Sequence, residues 1–268
     1  MEYLSLDLGQ VRGFNFDGDQ PFVNPKTGRS DMASWSFNGI GMDNSEITNA
    51  GSGTPHITSL LDMTANYRVT RIQLLDTDNS SSDGYRTQFN SFRFDPGRTY
   101  LLDLEFKLDA DWDFDMAPGA GLLWQVKGDP KPGQWGNPVL ALNLFGNQLR
   151  LSILYPAPAM AAGSWPASVR WDDAEYVDVT VPAMALQAGV YHHVSILFHA
   201  DERPAVFGGQ GFIHAWFDDR LWHQYTGPTL HPDQKGRHRM DFGWYQWEGK
   251  PSATRTIYFK TGRLYEWR

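Results

Sequence analysis

The most constraining feature of the chain is a strict two-residue alternation, in which Leu102, Leu104, Phe106 and Leu108 are separated by Asp103, Glu105, Lys107 and Asp109. Successive side chains of an extended chain point to opposite faces, so this segment predicts a strand with one buried face and one charged face. The same period recurs. Residues 139–144 turn through Gly146-Asn147 into 148–153, a hairpin signature with turn residues able to take positive φ. A third hairpin pairs 212–217 with 221–225 around Asp218-Asp219. Further strands are expected at 89–94, 121–127, 176–181, 192–198, 240–247 and 255–264, and one short helix at 57–65.

Many short strands separated by Gly, Pro and Asp turns, without a repeat of fixed period, predict an all-β sandwich of two antiparallel sheets. At 268 residues the chain suffices for one large domain. Residues 1–55, rich in Gly, Asn, Asp and Ser, are expected to decorate the sandwich irregularly. The stretches 109–119, 128–137 and 156–171 read as long loops carrying Trp112, Trp135 and Trp165, the places where an all-β protein usually meets a ligand.

Composition narrows the chemistry. No cysteine is present, which removes disulfides, thiolate metal sites, iron–sulfur clusters and a cysteine nucleophile. A net charge of −8 argues against a nucleic-acid partner, and no apolar run approaches the roughly 18 residues that span a bilayer. The first ten residues lack the basic start and apolar stretch of a signal peptide, so the expectation is either a cytoplasmic chain or one whose leader has been removed.

Polar residues gather on alternate positions of several strands. Arg86, Gln88 and Asn90 share one face, Gln125 and Lys127 stand opposite Trp124 and Val126, Arg239, Asp241 and Tyr245 share a third face, and Tyr258 and Lys260 a fourth. If these strands are neighbours they line a groove of cations, amides and phenols. Such a groove suits an anionic, hydroxyl-rich polymer, because cations and amides bind carboxylates and aromatic faces stack on sugar rings.

The set Arg86-Thr87-Gln88-Phe89, Gln125-Val126-Lys127 and Tyr258-Phe259-Lys260-Thr261-Gly262 resembles the signature strands of jelly-roll polysaccharide lyases, the alginate lyase, heparin lyase and glucuronan lyase-like group. Those families carry an Arg-Thr-Glu-Leu type strand, a Gln-Ile-His or Gln-Val-His strand and a Tyr-Phe-Lys-Ala-Gly-Val-Tyr strand. The third motif fits Tyr258-Phe259-Lys260 by letters, and by position it fits the penultimate strand, where Gly243-Trp244-Tyr245-Gln246 resembles Gly-Val-Tyr-Asn. Tyr245 and Tyr258 both remain candidates. Two departures stand out: the family's Glu is Gln88 here, and its His is Lys127.

The resemblance implies a concanavalin-like jelly roll that cleaves a uronate-containing polysaccharide by β-elimination, and the chain is expected to be secreted or periplasmic. Removing the C5 proton builds up charge beside a carboxylate, and donors must neutralise it; Gln125, Arg86 and Lys127 have that chemistry. A tyrosine then takes the proton and returns one to the leaving O4, its pKa lowered from about 10 by an adjacent cation. Tyr245 near Arg239, or Tyr258 near Lys260, meets that need. Gln88, Asn90, Lys260, Arg239, Trp135 and His56 are candidate substrate contacts, with His56 an alternative base.

Plainer roles stand beside these. Tyr258 and Lys260 fit an edge strand with alternating polar residues. His192, His193, His214 and His223 read as half-buried sheet residues. Asp109, Asp111, Asp113 and Asp115, like Asp17-Gly18-Asp19, read first as turns and second as a structural Ca²⁺ site, since the Gly and terminal Glu of a calcium loop are missing. No cofactor is expected. The rival to a lyase is a non-catalytic carbohydrate-binding module or adhesin of the same fold; a hydrolase needs two carboxylates across a cleft, and no such cluster is visible.

Overall fold

In the computed structural model the described residues are 57–63, 66–78, 84–115, 120–129, 138–156, 176–231, 235–247 and 249–267, with five two-residue strands before them. Those five are β1 (Phe14–Asn15), β2 (Pro21–Phe22), β3 (Met32–Ala33), β4 (Ser36–Phe37) and β5 (Ile40–Gly41). There follow β6 (Ile57–Asp62), β7 (Tyr67–Leu74), β8 (Tyr85–Phe94), β9 (Thr99–Leu108), β10 (Ala120–Asp129), β11 (Leu140–Phe145) and β12 (Gln148–Pro156). The chain continues through β13 (Tyr176–Asp178), β14 (Met184–Ala185), β15 (Tyr191–His199), β16 (Phe212–Phe217), β17 (Arg220–Thr226), β18 (Lys235–Gln246) and β19 (Arg255–Trp267). Apart from one 3₁₀ turn at Ala205–Phe207, the described residues contain no helix.

The strands form two main antiparallel sheets. One runs β17-β16-β15-β9-β19-β1-β4-β5, with β7 paired to β19 and β6 to β7. The other runs β13-β12-β11-β10-β18-β8, with β14 on β12, and the pair β2-β3 stands apart. The alternation in β9 does what its sequence predicts: Leu102, Leu104, Phe106 and Leu108 are sealed from solvent, and Asp103 and Glu105 face out. Burying each such side chain contributes roughly 1.5–3 kcal/mol. Phe242 of one sheet meets Phe259 of the other at 4.4 Å between ring centroids, and Phe94 meets Phe198 at 5.2 Å. The core thus fills the space between the sheets and leaves each sheet a polar outer face.

Two expectations are corrected. The helix expected at 57–65 is overturned over the described residues 57–62, which form β6, paired from Ile57↔Ile72 to Asp62↔Tyr67. The apolar spacing of Ile57, Leu60 and Leu61 is helical, but pairing with β7, a strand the alternation did not reveal, decides the conformation. Nor is Trp112 a ligand-facing loop residue, because it is buried edge-on against Trp244 with the Arg255 guanidinium over its ring. In the N-terminal stretch, β1 pairs with β19 through Asn15↔Arg263 and extends that sheet.

Candidate active site

Strands β8, β18 and β10 are neighbours, and their pairing lays polar residues in rows across one outer face. Lys127, Arg239 and Arg93 form one row; Gln125, Asp241 and Asn90 the next; Gly243 and Gln88 a third; Leu122, Tyr245 and Arg86 a fourth. The opposite face of β18 carries Met240, Phe242 and Trp244, all in the core, so alternation fixes which residues look outward. A bulge between Leu122 and Trp124 on β10, and one on β8 where Phe92 and Asn90 face the consecutive Met240 and Asp241, shift the register; the second brings Arg93 to the same face as Arg86 and Gln88.

Asp241 is the hub of the first two rows. Its carboxylate accepts a hydrogen bond from Gln125 Nε2 at 2.8 Å and pairs with Lys127 Nζ at 3.1 Å and Arg239 Nε at 3.1 Å. Two of the expected substrate-neutralising groups, Gln125 and Lys127, therefore already share an internal carboxylate. In sequence Asp241 was only one member of an alternating set; its centrality depends on cross-strand register, which the sequence does not display.

Tyr245 belongs to the other end of the face. Its partner is Arg86, whose guanidinium lies 4.3 Å above the phenol ring, and not Arg239, which is engaged with Asp241. The ring has room because residue 84 is glycine: a Cβ there would come within 2.7 Å of Tyr245 Cε2. Asp241 and Tyr245 are four residues apart on one strand, roughly 13 Å. Between them Gly243 takes φ +131, and a Cβ on it would lie 2.3 Å from the Thr87 carbonyl oxygen. Gln88 faces Gly243, is completely buried, and neither its amide nitrogen nor its oxygen has a hydrogen-bond partner among the described residues.

Tyr258 and Lys260 do not join this face. They project from β19, on the outer side of the opposite sheet, where Tyr258 pairs with Lys107 and Arg71. Tyr258 Oη donates to Asp109 at 3.2 Å, and burial, reinforced by Asp109, pushes its pKa up to about 12, against the needs of a base. Lys260 pairs with Glu105 at 2.6 Å. Nearby, Lys107 and Tyr191 Oη both donate to Asp62, the latter at 2.7 Å, and Lys107 sits over the rings of Tyr191 and Tyr258. Trp135, His56 and the side chain of Asn90 lie outside the described residues.

The histidines serve the sheets. His192 Nδ1 meets Asp218 Oδ2 at 2.9 Å and its Nε2 accepts from the Gln187 amide. His193 bridges Asp103 at 2.6 Å and Asp219 at 2.9 Å. Among the acidic residues after β9, Asp109 and Asp113 accept from backbone amides one and two residues on, the geometry of turns. No group of three or more potential metal ligands occurs among the described residues.

Solved structures share this architecture. The endo-β-1,4-glucuronan lyase from the fungus Trichoderma reesei superposes with a TM-score of 0.60 at 15% identity, covering 81% of this chain and 88% of that one. A family 7 alginate lyase, A1-II', in complex with substrate gives 0.52 at 9% identity over 81% and 83%. The alginate lyase Aly36B in complex with an alginate trisaccharide gives 0.51 at 14% over 78% and 85%. No curated protein matches the sequence. The fold is therefore the jelly roll those enzymes share, and since the polysaccharide lyase family model matches residues 43–262, the chain belongs to the polysaccharide lyase family.

Proposed function

We propose that this lyase cleaves a uronate-containing polysaccharide by β-elimination on the outer face of β8, β18 and β10, with Tyr245 as the proton-transfer group. The observation that carries the reading is the Arg86 guanidinium stacked on the Tyr245 ring, one row from the unpartnered amide of Gln88. A cation against a phenol favours the phenolate, the form that accepts the C5 proton. Arg86 and Gln88 then neutralise the carboxylate beside that carbon as charge builds up. A buried amide with no partner among the described residues is costly to leave unpaired, and a ligand oxygen that reached Gln88 would satisfy it.

Gln125 and Lys127 act further along the same face. Lys127 pairs with Asp241, to which Gln125 also donates, and this places its amine where it can attract a neighbouring sugar carboxylate. The glucuronan and alginate lyases of the same fold point to a polyanionic substrate of this class.

The test is incubation with glucuronan, alginate, heparin and hyaluronan while near-ultraviolet absorbance is followed. The expected result is a rising signal from the unsaturated uronate, with shorter chains, on at least one polymer. New reducing ends without absorbance would indicate hydrolysis, and retention on a polymer with neither change would indicate a binding module; either result overturns the proposal.

A further inference from the structure

Beyond Tyr245 the same face carries groups that the elimination does not use. The Trp247 ring lies 6.0 Å from that of Tyr245 and 6.0 Å from that of Phe145. The Arg150 guanidinium sits 4.6 Å over Phe145, as Arg86 sits over Tyr245 at the far end. The result is an unbroken row of three rings closed by an arginine at each end.

This row runs across the strands. Arg86 is on β8, Tyr245 on β18 with Trp247 just beyond that strand's end, Phe145 on β11 and Arg150 on β12. It crosses β10 at Ala120 and Leu122, the register partners of Phe145 and Tyr245. Four inter-strand steps make a path of roughly 19 Å, long enough for several sugar rings. The residues at the crossing, Ala120 and Leu122, are apolar and buried, and Asn143, beside Leu122 on β11, is tied down by a hydrogen bond from its Nδ2 to Ser152 Oγ at 2.6 Å. Phe145, Tyr245 and Trp247 are half-buried, with part of each surface open, and Arg150 is exposed.

Sugar rings present apolar C–H faces that stack on aromatic rings, and a guanidinium recognises a carboxylate through a planar, bidentate fork. The geometry points to a polyuronate track perpendicular to the strands, in which a sugar ring packs on Trp247 and Arg150, seated over Phe145, takes the carboxylate of a uronate remote from the bond being cleaved. The inference rests on the lyase reading and extends it: the substrate would bind across the sheet toward β12.

The test compares wild type, Arg150→Gln and Arg150→Lys on the polymer that wild type cleaves, and on oligomers of increasing length. Loss of one charge-assisted contact at an exposed site predicts a KM for the polymer raised about three- to tenfold in Arg150→Gln. Oligomers too short to reach β12 should be unaffected, and Arg150→Lys should recover part of the loss. An unchanged melting temperature excludes misfolding as the cause. If wild type cleaves the polymer and Arg150→Gln matches it in KM and product lengths, the track is wrong and the lyase reading stands. If wild type neither cleaves nor binds any polyuronate, both fall.

Discussion

Three cations in one cross-strand row repel one another, and Lys127, Arg239 and Arg93 occupy such a row. Asp241, one row away and fully buried, offsets that repulsion by pairing with two of them. A residue that looked incidental in the strand pattern is therefore what permits this cation density on the face. Its counterpart on the opposite sheet is His193. Hydrogen bonds to Asp103 first, and then to Asp219, outweigh the opposing effect of burial and push its pKa up to about 9 from an ordinary 6.5. A folded pKa above the unfolded one means that the stabilisation is complete below about 6.5 and disappears as pH rises through about 9. The melting temperature of wild type should thus fall by a few degrees across pH 6.5–9.5 relative to His193→Gln, which lacks the titration. Parallel pH dependence of the two proteins in thermal melts would contradict this account of His193.

At the level of elements, the site depends on β18 lying tightly between β8 and β10. Gly243 makes that approach possible, since both its positive φ and the nearby Thr87 carbonyl exclude a side chain. Gly243→Ala should cost about 2–4 kcal/mol from backbone strain and overpacking combined. It should also shift Gln88 and Tyr245 out of register. A denaturant titration alongside the cleavage assay measures both effects, and a variant of wild-type stability would show that β8 has slack here. The long strands were legible because period-two alternation is a local property: β9, β10, β15, β16, β18 and β19 all follow it. The strand β6 was not legible, because Ile57, Leu60 and Leu61 carry a helical spacing and its pairing with β7, across a turn in which Asn66 takes φ 50, is a tertiary fact.

Among the described residues the two outer faces differ in charge. The face of Tyr245 carries Arg86, Arg93, Lys127, Arg150 and Arg239 against Asp241, whereas on the other sheet Lys107 and Lys260 are matched by Asp62, Asp103, Glu105 and Asp109. A chain of net charge −8 can therefore still present a polyanion with a positive surface. Sorting of this kind is invisible in sequence, because it depends on which sheet each strand joins. The same nonlocal fact separates the two tyrosines: Tyr-Phe-Lys at 258–260 matches a lyase motif by letters, yet β19 belongs to the sheet opposite β8, β18 and β10. Arg86, Gln88, Gln125, Lys127 and Tyr245 were legible as a set since each alternates with core residues on its own strand. Their division into an Arg86–Tyr245 end and an Asp241 end was not.

The most direct measurement is the initial rate of near-ultraviolet absorbance for Tyr245→Phe and Tyr258→Phe, each against wild type on the polymer that wild type cleaves. Loss of the proton-transfer group should slow Tyr245→Phe by at least about 100-fold, while Tyr258→Phe stays within about twofold of wild type. The reverse pattern, or two variants that both cleave at the wild-type rate, would contradict the assignment of the chemistry to the β8-β18-β10 face.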